Sequence, residues 1–307
     1  MENALEQLRR LAAHAQNRRT ETGIPRLAMV QGKIPDHDLA AVYDPMINLI
    51  LRGSKSMTVG DQTLHYDAAT YFVMSVDLPA VGSVHPAATG QPYLAVSLTL
   101  DPAIIAGVLA AAPASAGRTS GQGFSVAAVT PELLDGWVRL LRLTTTPEDI
   151  PVLAPAYERE ILYRVLQGPQ GWMLRDIATP ESSLSRIHTA ILWIRENFTQ
   201  PLRIETLADR VAMSVSAFHR QFKAVTNMSP LQFQKTIRLM HARRLMITEA
   251  LSAASVSVRV GYESPSQFSR EYSRLFGQSP ARDTAQLAGN WSNRTSQGAV
   301  GELPLSA

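Results

Sequence analysis

Two short segments of this chain carry the same polar and basic residues at the same spacing. SVSAFHRQFKAVTNMSP (214–230) aligns with SPSQFSREYSRLFGQSP (264–280) at a constant offset of 50, without a gap. Ser214 matches Ser264, Ser216 matches Ser266, Phe218 matches Phe268 and Arg220 matches Arg270. Ser229-Pro230 matches Ser279-Pro280, and Phe222 meets an aromatic partner in Tyr272. So many matches in so short a window mean that one supersecondary unit occurs twice. In each copy the aromatic residues recur at helical spacing and mark an inward face. The opposite face presents Ser216, His219, Arg220 and Lys223 in the first copy, and Ser266, Gln267, Arg270 and Arg274 in the second. Hydroxyl, amide and guanidinium groups on one exposed helix face suit contact with a polyanion that also offers hydrogen-bonding edges.

The elements that must hold these residues can be read from capping and turn signals. In the first copy Ile204, Leu207, Ala208 and Val211 mark a short helix, and Ala212-Met213-Ser214 is the turn. The Ser214 hydroxyl is placed to cap the next helix. In the second copy Val256, Val258 and Val260 precede a Gly261 turn, Ser264 as cap and Pro265 at the first helical position. Short helix, tight turn, helix with a polar-basic face is helix-turn-helix logic. Between the copies, Ser229-Pro230-Leu231-Gln232 is an S-x-x-Q capping box that starts a long helix bearing Lys235, Arg238, Arg243 and Arg244. Such a helix fixes the distance between the units, and basic residues near helix ends are placed for phosphates.

The rest of the chain reads differently. From about Arg26 to Leu100 the pattern is short apolar runs cut by turns: Met46–Leu51, Ser56–Val59, Thr63–Tyr66, Tyr71–Val76 and Tyr93–Leu100. Strands at that spacing predict an antiparallel barrel or jelly roll. A helix is expected over residues 3–16, and Asp101-Pro102 is a helix start. An Ala/Gly/Ser-rich loop is expected over 110–123, and helices over Pro131–Leu143 and Val152–Leu166. Thr179-Pro180-Glu181-Ser182-Ser183 reads as a hinge.

Composition narrows the function classes. The chain has 307 residues, no cysteine and a net charge of +3. Without cysteine there are no disulfides, thiolate metal sites, cysteine nucleophiles or thiol redox sensing. Residues 21–180 hold ten Lys/Arg against fifteen Asp/Glu, and residues 187–283 hold thirteen against seven. An acidic first part joined to a basic last part places the polyanion contact at the C-terminal end. No stretch nears the roughly 18 apolar residues that span a bilayer, and the N-terminus lacks the apolar core of a secretion signal. A cytoplasmic location, with no membrane contact, is expected. No nucleophile elbow and no glycine-rich phosphate loop is present, so an enzyme is not expected.

The last hundred residues closely resemble the DNA-binding domain of AraC/XylS-type regulators, through RRLMITEA and VGYESPSQFSREYSRLFGQSPARD. NLILRGSKSMTVGD, YFVMSVDLPAVG and APAYEREILYRVLQGPQG resemble the N-terminal domain of one AraC-type subgroup. The resemblance implies an α+β chain: a cupin-like antiparallel β-barrel with dimerisation helices, then an all-α domain with two helix-turn-helix units. The expected boundaries are an N-terminal arm (1–25), a regulatory and dimerisation domain (26–170) and a linker (171–186). The DNA-binding domain (187–284) and a disordered tail (285–307) follow. By the family's pattern the base-reading positions fall on Ser216, His219 and Arg220, and on Ser266, Gln267 and Arg270. Arg can bond a guanine edge and Gln an adenine edge bidentately. Phosphate contacts are expected from Ser214, Lys223, Lys235, Arg238, Ser264 and Arg274.

Two departures stand out: Ser257 where a small Ala is usual, and Ser216 where a larger side chain often stands. The first unit should therefore lean on Arg220 and His219. Asn48, Arg52, Tyr71 and Tyr93 are candidates for an effector pocket. His65 and His85 lack the partner histidine and carboxylate of a cupin metal site, so neither a metal nor another cofactor is expected. The expected partners are double-stranded promoter DNA, a small-molecule effector, a second copy of the chain and, for an activator, RNA polymerase. The rival readings are a cupin-type metal enzyme with an attached DNA-binding module, and an effector-independent DNA binder. The effector, the operator and the sign of regulation are not written in the sequence.

Overall fold

The computed structural model describes residues 1–32, 40–68, 70–112 and 121–295, with side chains described through Leu287. The chain opens with α1 (Glu2–Leu11), which buries Leu5 and Leu8 and carries Arg9 and Arg10 in its last turn, where cations complement the helix dipole. Nine strands follow: β1 (Thr20–Glu21), β2 (Leu27–Gly32), β3 (Ala40–Tyr43), β4 (Met46–Arg52), β5 (Ser54–Val59), β6 (Gln62–Asp67), β7 (Thr70–Met74), β8 (Leu78–His85) and β9 (Tyr93–Thr99). After α2 (Pro102–Ala111) comes β10 (Phe124–Ala128). The strands make two antiparallel sheets, ordered β1-β2-β9-β4-β7-β10 and β3-β8-β5-β6.

The sheets differ in sequence because they differ in cover. β4 lies between β9 and β7, and Met46–Leu51 are buried without a break, as expected of a strand covered on both faces. One of its faces (Ile47, Leu49, Leu51) packs with Tyr71, Val73 and Val96 against the helices. The other (Met46, Ile50) meets Phe72, Met74 and Tyr93 in the barrel interior. β5 alternates instead: Lys55, Met57 and Val59 are buried and Ser54, Ser56 and Thr58 partly exposed, since the smaller sheet has a solvent face. The sequence reading missed β8, where Pro79 and Gly82 break the apolar alternation even though the strand pairs with both β3 and β5.

The helices that follow correct several expectations. In α3 (Pro131–Arg142) and α4 (Ile150–Gln167), Leu133, Leu134, Trp137, Leu140, Leu141, Ile161, Leu162, Val165 and Leu166 are all buried in the chain's own core. These apolar side chains, on the helices that the resemblance assigned to dimerisation, are packed within the chain's own core. The stretch read as a linker carries α5 (Gly171–Ala178), because Met173 and Leu174 give it a face that docks on the same core. The loop expected over 110–123 begins inside α2 and lies largely outside the described residues.

The C-terminal part is helical: α6 (Ser183–Glu196), α7 (Ile204–Arg210), α8 (Val215–Thr226), α9 (Pro230–Thr248), α10 (Ala253–Arg259), α11 (Pro265–Phe276) and α12 (Pro280–Thr295). α12 thus occupies residues 285–295 of the stretch expected as a tail, while the remainder lies outside the described residues. The barrel interior and the first helical unit share one apolar core, in which Met57, Val59 and Phe72 belong with Ile187, Phe218, Phe222 and Phe233. The second unit has its own smaller core of Leu239, Val256, Val260, Tyr262, Phe268 and Tyr272.

Candidate nucleic-acid interface and barrel interior

The repeat seen in the sequence is a repeat of backbone geometry. α7 and α8 form the first unit, α10 and α11 the second. The Ser214 hydroxyl accepts from the Ala217 amide at 3.3 Å, and the Ser264 hydroxyl from the Gln267 amide at 3.3 Å. In each turn the residue after the first helix's C-cap is left-handed, Ala212 (φ 52°) and Gly261 (φ 88°). Both second helices end on left-handed residues, Asn227 and Gly277. Phe218, Phe222, Phe268 and Tyr272 are fully buried. Ser257 is buried as well, and its hydroxyl donates to the Ala254 carbonyl at 2.8 Å, so the departure from alanine leaves no unpaired group. Of the three valines before the Gly261 turn, Val256 and Val260 are buried, whereas Val258 is 68% exposed.

The two outward faces are open but unequal. Ser216, His219, Arg220 and Lys223 are exposed on α8, and Ser266, Arg270 and Arg274 on α11. Gln267 is half-buried and its amide donates to Glu271 at 3.0 Å. Before it can meet a base edge with both amide atoms, that hydrogen bond has to be exchanged. Glu271 also accepts from Lys235 at 2.6 Å and from the Tyr262 hydroxyl at 2.7 Å. Lys235 is thereby engaged in an ion pair within the domain.

The linking helix α9 is a bracket. The Ser229–Gln232 capping box is formed in both directions. Arg238, expected at a phosphate, directs its guanidinium to three backbone carbonyls: Phe198 at 2.6 Å, Gly261 at 2.7 Å and Gln200 at 2.9 Å. Arg243 is buried against Asp283, with Nε–Oδ2 at 2.8 Å and Nη2–Oδ1 at 2.9 Å. Sequence reasoning saw four cations on this helix, yet three of them hold the units together and Arg244 alone is exposed. Their partners are remote in sequence, so no local signal marked them.

The barrel grips the first unit. Asp77, which is buried, accepts from His188 Nε2 at 2.8 Å and from Arg195, both on α6. The Gly123 amide donates to the Val225 carbonyl at 2.8 Å. At the tip of the β5–β6 hairpin, the Asn227 amide donates to the Val59 carbonyl at 3.1 Å and to Asp61 at 2.5 Å. Gly60 has φ +63°, and a Cβ there would lie 2.8 Å from the Asn227 carbonyl oxygen. Gly90 has φ +77° with nothing within 4 Å of such a Cβ. Gly90→Ala should therefore cost only the left-handed penalty of about 1 kcal/mol. Gly60→Ala should cost about 2–3 kcal/mol, by adding the collision with Asn227. Equal losses for the two variants in thermal unfolding would show that the hairpin does not press on α8 in solution.

Inside the barrel, the four effector candidates separate. Asn48 and Tyr93 face the interior, where the Tyr66 hydroxyl donates to Asn48 Oδ1 at 3.3 Å and the Asn48 amide reaches the Val96 carbonyl at 3.4 Å. Tyr71 has the opposite parity and packs toward the helices; burial pushes its phenol up to about 12. Arg52 sits at one end of the barrel, lining an open cavity of about 720 Å³ together with Arg9 and Asp67. Sequence reasoning missed Tyr43, Lys55 and Tyr66, which also face inward. The alternation Lys55, Met57, Val59 was the signal available for Lys55. Burial raises the phenols of Tyr43, Tyr66 and Tyr93, and proximity to one another adds to the rise for Tyr66 and Tyr93, so all three are hydroxyl donors at neutral pH. His65 and His85 flank the Ser56 hydroxyl at 2.8 and 3.4 Å on the outer face of the smaller sheet. Among the described residues, no three His, Asp or Glu side chains are grouped to hold a metal, and no helix is long and apolar enough to cross a membrane.

Comparison with known proteins agrees with this geometry. The family model for the AraC-type transcriptional regulator N-terminus matches residues 23–173, and a helix-turn-helix domain model matches residues 207–286. The HTH-type transcriptional activator RhaS of Escherichia coli is 31% identical over 106 residues, 34% of this chain and 38% of RhaS. RhaS of Shigella boydii gives the same figures. The match thus spans little more than a third of the length of these relatives. Among solved structures, ToxT of Vibrio cholerae bound to an unsaturated fatty acid has a TM-score of 0.53 at 10% identity, covering 83% of this chain and 93% of that one. ToxT bound to (E)-4-(8-methylnaphthalen-1-yl)but-3-enoic acid has a TM-score of 0.54 at 9% identity, covering 85% and 99%. At such identity the likeness concerns the fold: antiparallel sheets followed by a helical domain.

Proposed function

This chain belongs to the AraC-type transcriptional regulators, with an N-terminal regulatory domain and a helix-turn-helix domain, and from that premise we propose that it reads a two-part promoter site under control of a small molecule held in its barrel. The observation that carries the reading is the doubled unit, with Arg220 and Arg270 exposed at equivalent positions and neither in an ion pair among the described residues. A guanidinium so placed can take both acceptors of a guanine edge. Lys223 and Arg274 lie one helical turn further along, suited to phosphates. The caps Ser214 and Ser264 mark helix N-termini, where free backbone amides favour phosphate. Lys235 and Arg238 hold the domain together in this reading and leave the phosphate set.

Control comes through the shared core. Val59 lines the barrel interior with its side chain, and its carbonyl accepts from Asn227 at the end of α8. A molecule that repacks the interior therefore acts one residue away from the first reading helix. ToxT binds an unsaturated fatty acid, and the interior constellation of Asn48, Tyr66 and Tyr93 is the matching candidate here. We read the protein as a regulator and not an enzyme, working in the cytoplasm and, when activating, meeting RNA polymerase at the promoter. Two copies pair in this reading.

The test is selection of random duplexes by the full chain. The expected result is enrichment of two short segments with centres about 10–10.5 base pairs apart, the spacing that presents two major grooves on one face. Enrichment of a single segment, or of none, would contradict two reading helices held by one bracket.

A further inference from the structure

We propose that the molecule held in the barrel is an organic acid whose carboxylate pairs with Lys55. The inference rests on the effector reading above and adds the chemical class. Lys55 is 6% exposed and stands on the inward face of β5, in line with Met57 and Val59. Its Nζ lies 5.0 Å from the centroid of the Tyr43 ring. No carboxylate pairs with it and no hydrogen bond reaches its ammonium among the described residues.

That is an unusual place for a cation. Lysines are almost never fully buried without a partner, because an ammonium removed from water needs compensation. One aromatic face compensates only in part. The other buried ionic groups among the described residues are matched: Glu158 with Arg26 at 2.5 Å, Arg243 with Asp283, and Asp77 with His188 and Arg195. Lys55 alone among the buried ionic groups described has no opposite charge beside it, only the face of the Tyr43 ring. Burial pushes the ammonium down to about 8, which still leaves most of it protonated at neutral pH.

The surroundings complete an acid's requirements. Tyr66 is the cross-strand partner of Lys55; the Tyr93 hydroxyl is a protonated donor able to bond a carboxylate oxygen, and the Tyr66 hydroxyl can do so by exchanging its bond to Asn48 Oδ1. The neighbouring core side chains Met46, Ile50, Met57 and Phe72 are apolar. A cationic head, hydroxyl donors and apolar walls fit an acid with an apolar body. A neutral polyol would leave the ammonium unanswered, and a cation would be repelled.

Thermal melting of the full chain tests this with octanoate and benzoate, each against its primary amide at equal concentration and ionic strength. The acids are expected to raise the melting temperature by about 2–4 °C near saturation, and the amides by much less. Lys55→Met removes the charge at similar volume and is expected to melt no lower than the unsubstituted chain. It should lose the response to the acids, and Lys55→Gln should lose it too. Three results would each overturn the proposal: amides as effective as acids, an undiminished acid response in both variants, or no response of the unsubstituted chain to either acid. Amides that act equally on all three proteins would remove the acid while leaving an effector in the barrel, so the two readings fail separately.

Discussion

Asp283→Ala is expected to destabilise the second helix-turn-helix unit by about 3–5 kcal/mol and to abolish binding of the full two-part site. Asp283 is wholly buried. It accepts from Arg243 at 2.8 and 2.9 Å, from the Tyr272 hydroxyl at 2.5 Å and from the Gln278 amide at 2.9 Å. Removing the carboxylate leaves the buried Arg243 guanidinium, stacked 4.4 Å over the Phe276 ring, without its counter-charge. That penalty far exceeds the packing lost with two oxygens and a carbon. Replacing both partners by apolar residues should cost much less than either single change, since no buried charge is then left over. Urea unfolding of Asp283→Ala and of an Arg243→Met/Asp283→Leu double variant checks this. A loss below about 1 kcal/mol in the single variant would mean that the pair is solvated in solution.

The same carboxylate sets a pH dependence. Burial by itself would raise Asp283, but the hydrogen bonds from Arg243, Tyr272 and Gln278 together hold it below the ordinary carboxylate range. A group whose folded pKa is depressed contributes its stability above the unfolded value and loses it as pH falls through the folded value. The second unit should accordingly be at full strength at neutral pH and weaken in acid.

The second large effect lies on the reading faces. Arg220→Ala and Arg270→Ala should each weaken binding to the selected duplex by about 1–3 kcal/mol, that is roughly 5- to 150-fold. Neither change should alter folding stability by more than about 0.5 kcal/mol, because both side chains are exposed surface positions. The losses should also be local. Arg220→Ala should relax the base preference in one segment and Arg270→Ala in the other, whereas Lys223→Ala should weaken all sequences alike. Between the two, the first unit should be the more sensitive, since Ser216 offers little reading of its own beside Arg220 and His219.

How much of this was legible in the chain follows from the range of the interactions. The helix-turn-helix units announce themselves locally: serine caps, proline at the first helical position, aromatics every fourth residue. The repeat at an offset of 50 supplies its own internal control. The linking helix was visible as a helix, but the work of its cations was not. Arg238 answers to Phe198 and Gly261, and Arg243 to Asp283, partners 23 to 40 residues away in sequence. In the barrel the strands could be found, but the side of the sheet each residue faces depends on pairings that the alternation alone does not orient. Asn48 and Tyr93 were placed on the interior, whereas Tyr71 belongs to the helix-covered face. Lys55 sat in plain alternation with Met57 and Val59, and its charge disguised it as a surface residue. The helices over 131–166 were recognised by their apolar stripe, but a stripe does not say whether it meets its own sheet or a second copy.

The central claim, that two matched arginines on two bracketed helices read two segments of one site, is tested most directly by competition titration. The unsubstituted chain, Arg220→Ala and Arg270→Ala are titrated against the selected duplex and against duplexes with either segment scrambled. The account predicts that each variant becomes indifferent to scrambling of one segment only, and that the indifferent segment differs between them. Unchanged affinity and selectivity in both variants, or loss of preference for the same segment in both, would contradict it.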